Sequence, residues 1–438
     1  MSDPIFEPLT FRSGLTLRNR VVRSSMSGRF DHYDGTGSHV RLNWEERFAA
    51  GGVGAIVSSF VPVSAQGNHM PGYAMLDRDE RIPFWRALAE RVHAHDVPYI
   101  VQLNHCGRQR DLASVTTRSE PAPSATNRRD PLNGFPTRAM STGEVRETVQ
   151  RFADAARRAR EAGLDGVEVH GANGYLVNQF LSSAINDRED AYGGDLKARA
   201  RFLLEVLQAI RAEVGDDWHV QVKLNGVDRA DAILPWLKAG NSLAEQTQVA
   251  QWAAAAGADA IHVSGGASFP HPDNPPGDLA AEELAATFDS LASEGRKTFF
   301  NYILLRYRPT RALFRWFWNR GRSPKIAGVH LPAARAFKAA VDVPVLCTGG
   351  FQDGALIREA LSSGGCDAVA IARPLLATPD LVAHFERGAD QTPRPCTFCN
   401  RCVGMLLEHP LACYEPERFD DEAQMMAEAL AVYTPSPW

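Results

Sequence analysis

The sequence predicts a (β/α)8 TIM barrel. Three observations carry that expectation. Eight short β-branched runs recur along the 438 residues. Most are followed by a helical pattern, and most are apolar throughout, as strands buried on both faces are. Strand and helix alternating eight times is the pattern of a closed barrel. A doubly wound open sheet shares the alternation, because periodicity does not show closure; the count of eight favours the barrel. No internal repeat of solenoid length stands out beyond it.

Taken in order, strands are expected at residues 20–25 (RVVRSS), 54–59 (GAIVSS), 98–103 (PYIVQL) and 165–170 (DGVEVH). The later four are 219–224 (HVQVKL), 259–264 (DAIHVS), 343–348 (VPVLCT) and 367–372 (DAVAIA). The helix before the fourth strand is the clearest. Ser141 and Glu144 form a capping-box pattern, Val145, Val149, Phe152, Ala156 and Ala159 share one face, and Gly163 ends it. Two regions fall outside this count. Residues 271–327 expand the connection between strands six and seven, and residues 391–438 form a cysteine-containing extension behind a barrel domain of residues 1–390.

Bulk properties bound the function. Hydrophobic content of 44% and charged content of 23% are ordinary for a globular protein. A net charge of -5 makes no electrostatic case for nucleic acid. The start, MSDPIFEPLTFRSG, has no basic segment followed by an apolar run, and no stretch is long and apolar enough to span a bilayer. Seven unevenly placed cysteines do not suggest a disulfide framework. A reducing cytoplasm is the expected location.

In such barrels chemistry is built at the C-terminal strand ends. Here those ends carry Ser24, Met26 and Ser27 after strand one, Ser58 and Ser59 after strand two, and Gln102 at strand three. His170 ends strand four, with Asn173 and Tyr175 in the following turn, and Lys223 lies at strand five. Strand seven runs into Gly349 and Gly350, and strand eight into Arg373. The last two loops are the usual phosphate position, where glycine backbone N–H groups and an arginine fork would hold a phosphate. Plain strand-to-helix turns also use glycine pairs. Lys223 reads either as an ion-pair member or as a cation beside an anionic cofactor. Gln102 suits an edge of alternating carbonyls and N–H groups, or an ordinary supporting hydrogen bond. A phosphate anchor with an amide and a cation opposite would suit flavin mononucleotide.

Several long runs in the correct order resemble the old yellow enzyme family of FMN-dependent ene-reductases. They are LRNRVVRSSM, VQLNHCGRQ, APSA, GLDGVEVHGANGYLVNQFLSSAINDREDAYGGDLKARARF, VLCTGGF and AVAIARPLLATPDL, covering most of residues 1–390. The resemblance implies an FMN-bearing barrel reduced by NADH or NADPH in a ping-pong cycle. It implies that His170 and Asn173 bind the carbonyl oxygen of an α,β-unsaturated substrate and that Tyr175 gives the proton to its α-carbon. Ser24, Met26, Ser27 and the strand-two serine Ser59 would lie by the isoalloxazine, Gln102 on its pyrimidine edge, and Lys223 by N1/O2. Gly349, Gly350 and Arg373 would hold the phosphate. Ser27 stands where some relatives have a redox-tuning cysteine, and Phe60 replaces a small residue, which narrows the pocket or rearranges the strand-two contact. Oxidative demethylation and dienoyl-type reduction also occur among relatives, and a flavin-binding protein without turnover is the reading from another class.

Cys396, Cys399, Cys402 and Cys413 have the spacing C-x2-C-x2-C-x10-C. Such soft ligands suit an iron–sulfur cluster or zinc. Relatives of the dienoyl-CoA reductase type carry a four-iron cluster with one residue more in two gaps, followed by further flavin and nucleotide domains. A cluster, a structural zinc and free thiols all stay open. The segment 299–322 reads as an amphipathic helix packed on the barrel or on a subunit partner, so a homo-oligomer is open too. A lid over the flavin and attachment to a membrane surface are the alternatives.

Overall fold

The computed structural model describes residues 3–110, 120–234, 236–287 and 295–434, so the expected insertion and extension each run partly outside it. Eight parallel strands close into a barrel: β1 (Val21–Arg23), β2 (Ala55–Pro62), β3 (Tyr99–Asn104), β4 (Gly166–Gly171), β5 (His219–Asn225), β6 (Ala260–Ser264), β7 (Val345–Thr348) and β8 (Ala368–Ile371). They pair in chain order, and β8 returns to β1, with Ala370 opposite Val22. Closure leaves no strand edge for another chain to pair with. The strands read as apolar runs because they are buried on both faces; every residue of β2, β3, β4 and β5 is buried.

Parallel neighbours need crossover connections. These are α1 (His39–Ala50), α2 (Ile82–His93), α3 (Thr142–Glu161), α4 (Leu196–Val214), α5 (Leu243–Ala255), α6 (Leu331–Lys338) and α7 (Gly354–Ser362), and α8 (Leu381–Glu386) follows the last strand. Both halves of the expected capping box form at α3: Ser141 Oγ accepts from the Glu144 N–H, and a Glu144 carboxylate oxygen accepts from the Ser141 N–H at 2.8 Å. Gly163 then takes φ +83° past its end, a backbone region that costs a side chain energy. The main core lies between strands and helices. A second apolar cluster fills the barrel's N-terminal end, where Leu9, Phe11 and Leu17 of an N-terminal hairpin pack against Val57, Ile100 and Leu346.

One expectation needs correction. Strand two was expected to end at Ser59, but β2 continues to Pro62 through a register shift between Val57 and Phe60, which sets Phe60 opposite Gln102. A bulge of this kind re-aims side chains next to active sites.

The insertion and the extension meet. Helices Arg296–Arg306 and Arg308–Gly321 form a hairpin packed on helix Ala281–Thr287. The short helix Arg401–Met405 of the extension packs on the same helix, with Thr287 Oγ1 donating to the Gly404 carbonyl at 2.6 Å and Arg401 paired with Glu283 at 3.1 Å. The chain then returns to the barrel's start, where Asn43 Nδ2 donates to the Val432 carbonyl at 2.9 Å. No helix among the described residues is long and apolar enough to cross a membrane.

Candidate active site

Two adjoining cavities open at the C-terminal strand ends and share Ser27, Phe60, Tyr175, Phe269, Val403 and Leu406. The polar one brings together Ser24, Met26, Ser27, Gln102, His170, Asn173, Tyr175, Lys223, Gly349, Gly350 and Arg373. Residues spread over 350 positions of sequence therefore line one space because their strands are neighbours in the barrel. Ser59 is the exception. It lies off the lining, fully buried, and its Oγ accepts from the Arg41 guanidinium; the bulge gives its place at the rim to Phe60.

His170, last but one in β4, stands in register with Lys223 of β5. Burial, then the Lys223 charge, pulls the His170 pKa down to about 3, so the imidazole is neutral. Its Nε2–H donates to Asn173 Oδ1 at 3.0 Å, leaving Nδ1 buried without a partner. Asn173 sits at φ +60°, a conformation asparagine tolerates better than most residues. Its Nδ2 donates to the Gly265 carbonyl after β6, which fixes which way the amide points. Tyr175 is 5% exposed, its ring 4.7 Å from that of His170, and its hydroxyl makes no hydrogen bond among the described residues. Burial holds the phenol well above its ordinary pKa, so it stays protonated.

Lys223 is the cation that faces the cavity without a direct partner among the described residues. It is 5% exposed, lines the polar cavity and makes no ion pair or hydrogen bond among the described residues. Burial lowers its pKa, against the pull of Glu168. A buried cation without a direct partner is costly. The cavity is built to receive negative charge beside it, which fits the N1/O2 edge of a reduced flavin. At the other end Arg373, 9% exposed, donates to Asn400 Oδ1 and lies 5.1 Å from the Phe398 ring. Gly350 takes φ +71°, and a Cβ there would stand 2.2 Å from the Ile326 carbonyl oxygen, so only glycine fits this turn. The donor set, with Arg373 as fork and Lys223 as cation, fits FMN.

Below the cavity lies a network that sequence reasoning did not assemble. The Glu168 carboxylate accepts from Gln102 Nε2 at 2.6 Å, Gln221 Nε2 at 2.5 Å and His262 Nδ1 at 2.7 Å. Burial pushes its pKa up, but His262, Lys223 and the Gln102 amide outweigh it and hold the group at about 2. Thr348 Oγ1 donates to His262 Nε2 at 2.5 Å, and Ser25 Oγ donates to Gln102 Oε1 at 2.9 Å. Gln102 is thereby held at both ends of its amide. The available signal was Glu168 itself, a charge between Val167 and Val169 in a strand with no wet face.

The apolar cavity is walled by Phe60, Tyr73, His69 and the hairpin residues Leu304, Leu305, Phe314 and Trp318. The Phe60 ring lies 4.4 Å from that of Tyr73 and 5.9 Å from that of Tyr175, and so walls both cavities. Tyr73 is bonded to Ser27 at 2.5 Å. His69 donates from Nδ1 to the Gln109 carbonyl at 2.5 Å, and burial takes its pKa down to about 4.

Cys396, Cys399, Cys402 and Cys413 line one small cavity behind Arg373. Yet among the described residues no group of three or more His, Cys, Asp or Glu side chains is arranged to hold a metal ion. Phe398 and Asn400, on either side of Cys399, both take left-handed φ, 57° and 61°, and burial raises all four thiol pKa values, Cys413 to about 11. The chemistry below uses none of these side chains.

Comparison with known proteins agrees with this geometry. The model of the NADH:flavin oxidoreductase / NADH oxidase family matches residues 4–275. The chain is 30% identical to an NADH-dependent flavin oxidoreductase of Hypocrea jecorina, over 85% of its own length and 86% of that protein. It is 30% identical to an NADH oxidase of Thermoanaerobacter brockii over 89% of the chain and 52% of the relative, and 28% identical to a multifunctional alkene reductase/demethylase of Caballeronia cordobensis over 94% and 54%. The chain thus spans about half the length of these two bacterial relatives. Among solved structures it superposes on a 2-naphthoyl-CoA reductase at TM-score 0.76 and 24% identity, over 94% of the chain and 57% of that one. Morphinone reductase gives 0.64 and 23%, over 91% and 94%. These two likenesses show the fold.

Proposed function

The chain belongs to the NADH:flavin oxidoreductase / NADH oxidase family, and on that footing we propose that it is an FMN-dependent reductase of activated C=C bonds. One observation carries the reading. A neutral His170–Asn173 pair, a Tyr175 hydroxyl with no partner among the described residues and the ammonium of Lys223, balanced only at a distance by Glu168, face a single cavity. Ser24, Met26, Ser27 and Gln102 would contact the flavin ring, with Gly349, Gly350 and Arg373 at its phosphate. FMN held there and reduced by NADH or NADPH would supply hydride chemistry toward the substrate's β-carbon.

The chain's own residues do the rest. The substrate carbonyl oxygen, on which negative charge develops, is received by N–H groups of His170 and Asn173. Because the two side chains bond each other, the substrate oxygen competes with Asn173 Oδ1 for the His170 Nε2–H, while the contact of Asn173 Nδ2 with the Gly265 carbonyl keeps the pair oriented. Tyr175 delivers the proton to the α-carbon, balancing the hydride and completing addition of two hydrogens. The walls of the adjoining cavity, Phe60, Leu305, Phe314 and Trp318 among them, exclude water and suit a bulky apolar α,β-unsaturated carbonyl compound. The test is product analysis with a cyclic enone and NADH. Saturated ketone is the expected product; NADH consumption with the enone recovered intact would overturn the proposal.

A further inference from the structure

We propose that the hairpin Arg296–Gly321 docks on the surface of an anionic lipid bilayer. Its exposed side chains are unusually apolar for a protein surface. Of the eleven large hydrophobic side chains exposed among the described residues, six lie here: Phe299, Phe300, Tyr307, Leu313, Trp316 and Phe317. Trp316 and Phe317 are 52% and 41% exposed in spite of their size. Clustered exposed apolar side chains mark an interaction surface.

Charge selects the occupant. Residues 296–322 contain eight Lys and Arg and no Asp or Glu, inside a chain whose net charge is -5. Arg311, Arg315 and Arg322 turn inward to ion pairs with Glu282 and Asp278. Arg296, Arg306, Arg308 and Arg320 remain exposed without an ion pair among the described residues, and Arg320 lies over the Trp316 ring at 4.7 Å. Aromatic side chains at headgroup depth, flanked by cations with long apolar stems, are the composition of a helix lying in a membrane interface. A second copy of this chain is disfavoured as occupant, since the same face would meet itself with like charge.

The placement gives the surface a use. The same hairpin that presents Trp316 and Phe317 outward turns Leu304, Leu305, Phe314 and Trp318 inward onto the apolar cavity beside Tyr175. Docking would set that cavity beside the phase in which an apolar substrate dissolves. The lipid-binding step is independent of flavin chemistry and is measured without turnover.

The experiment is co-sedimentation of the purified full chain with vesicles of phosphatidylcholine alone and of phosphatidylcholine with phosphatidylglycerol. Binding is expected on the anionic vesicles only, fading as salt rises. Each exposed arginine removed, Arg306→Gln or Arg308→Gln, should weaken partitioning about fivefold. The double change Trp316→Ser with Phe317→Ser should abolish it while enone turnover in solution stays unchanged, because neither side chain lines the cavity. Three outcomes would overturn the proposal: no binding to anionic vesicles, equal binding by the Ser double variant, or self-association through this face without lipid binding. Preference for duplex nucleic acid over anionic vesicles would overturn it too.

Discussion

Replacing Tyr175 with Phe separates chemistry from architecture more cleanly than any other change in this site. The ring packs between His170, Phe60 and His69 at 4.7, 5.9 and 6.2 Å, and Phe keeps all three contacts. The hydroxyl has no hydrogen-bond partner among the described residues, so its removal orphans nothing. Tyr175 lines both cavities and its hydroxyl is open to them, so Tyr175→Phe should change the stability of the fold by less than about 1 kcal/mol. Catalysis should respond very differently. Loss of a positioned general acid lowers the rate roughly 10²- to 10⁴-fold, which is about 3–5 kcal/mol of transition-state stabilisation. The loss should fall on one half-reaction. Stopped-flow absorbance should show flavin reduction by NADH at the wild-type rate, and reoxidation by enone slowed by the full factor. Reoxidation within twofold of wild type would refute the proton-donor assignment. Equal slowing of both halves, or a large drop in the unfolding midpoint, would mean that the hydroxyl supports the site's shape instead.

Four further outcomes are expected. His170→Ala should weaken binding of a phenol, an analogue of the enolate, about 10- to 100-fold in a visible-spectrum titration, the worth of a hydrogen bond to a charged oxygen. Lys223→Met should make the flavin potential more negative in dye-equilibration measurements, because it removes the cation facing the reduced form; an unchanged potential would place Lys223 elsewhere. Stability should fall on acidification: His105 and His170 are buried, with pKa values lowered from 6.5 to about 3, so the unfolded chain binds protons first and stability is lost as pH drops below 6.5. At pH 5 each contributes a loss of about 2 kcal/mol, readable by urea unfolding at pH 7 and 5. Trp318→Ala, at a side chain 6% exposed where the hairpin packs on helix Ala281–Thr287, should cost about 3–5 kcal/mol and raise KM for bulky enones more than for cyclohexenone.

The barrel was legible in the sequence because a parallel barrel strand has no wet face, so runs such as PYIVQL stand out without alternation. Most of the site was legible because strand ends are where barrels place their chemistry, and His170, Asn173, Tyr175 and Lys223 fall there. Ser59 shows the limit. A bulge shifts register by a residue without changing composition, so Phe60 replaces it at the rim. Glu168 shows another: its partner His262 is 94 positions away, and pairing of that kind follows from barrel closure rather than from local pattern. The insertion and the extension were legible only as interruptions. The insertion's hairpin and the extension's helix Arg401–Met405 both pack on the insertion's helix Ala281–Thr287, a contact between segments more than a hundred positions apart.

The most direct test of the account is the visible spectrum of the protein under anaerobic conditions during stepwise addition of NADH or NADPH and then of enone. Flavin bands that bleach with the nucleotide and return stoichiometrically with enone, releasing saturated ketone, are the predicted result. A protein that cannot be reconstituted with FMN, or whose reduced flavin is indifferent to enone, would contradict the assignment of this cavity.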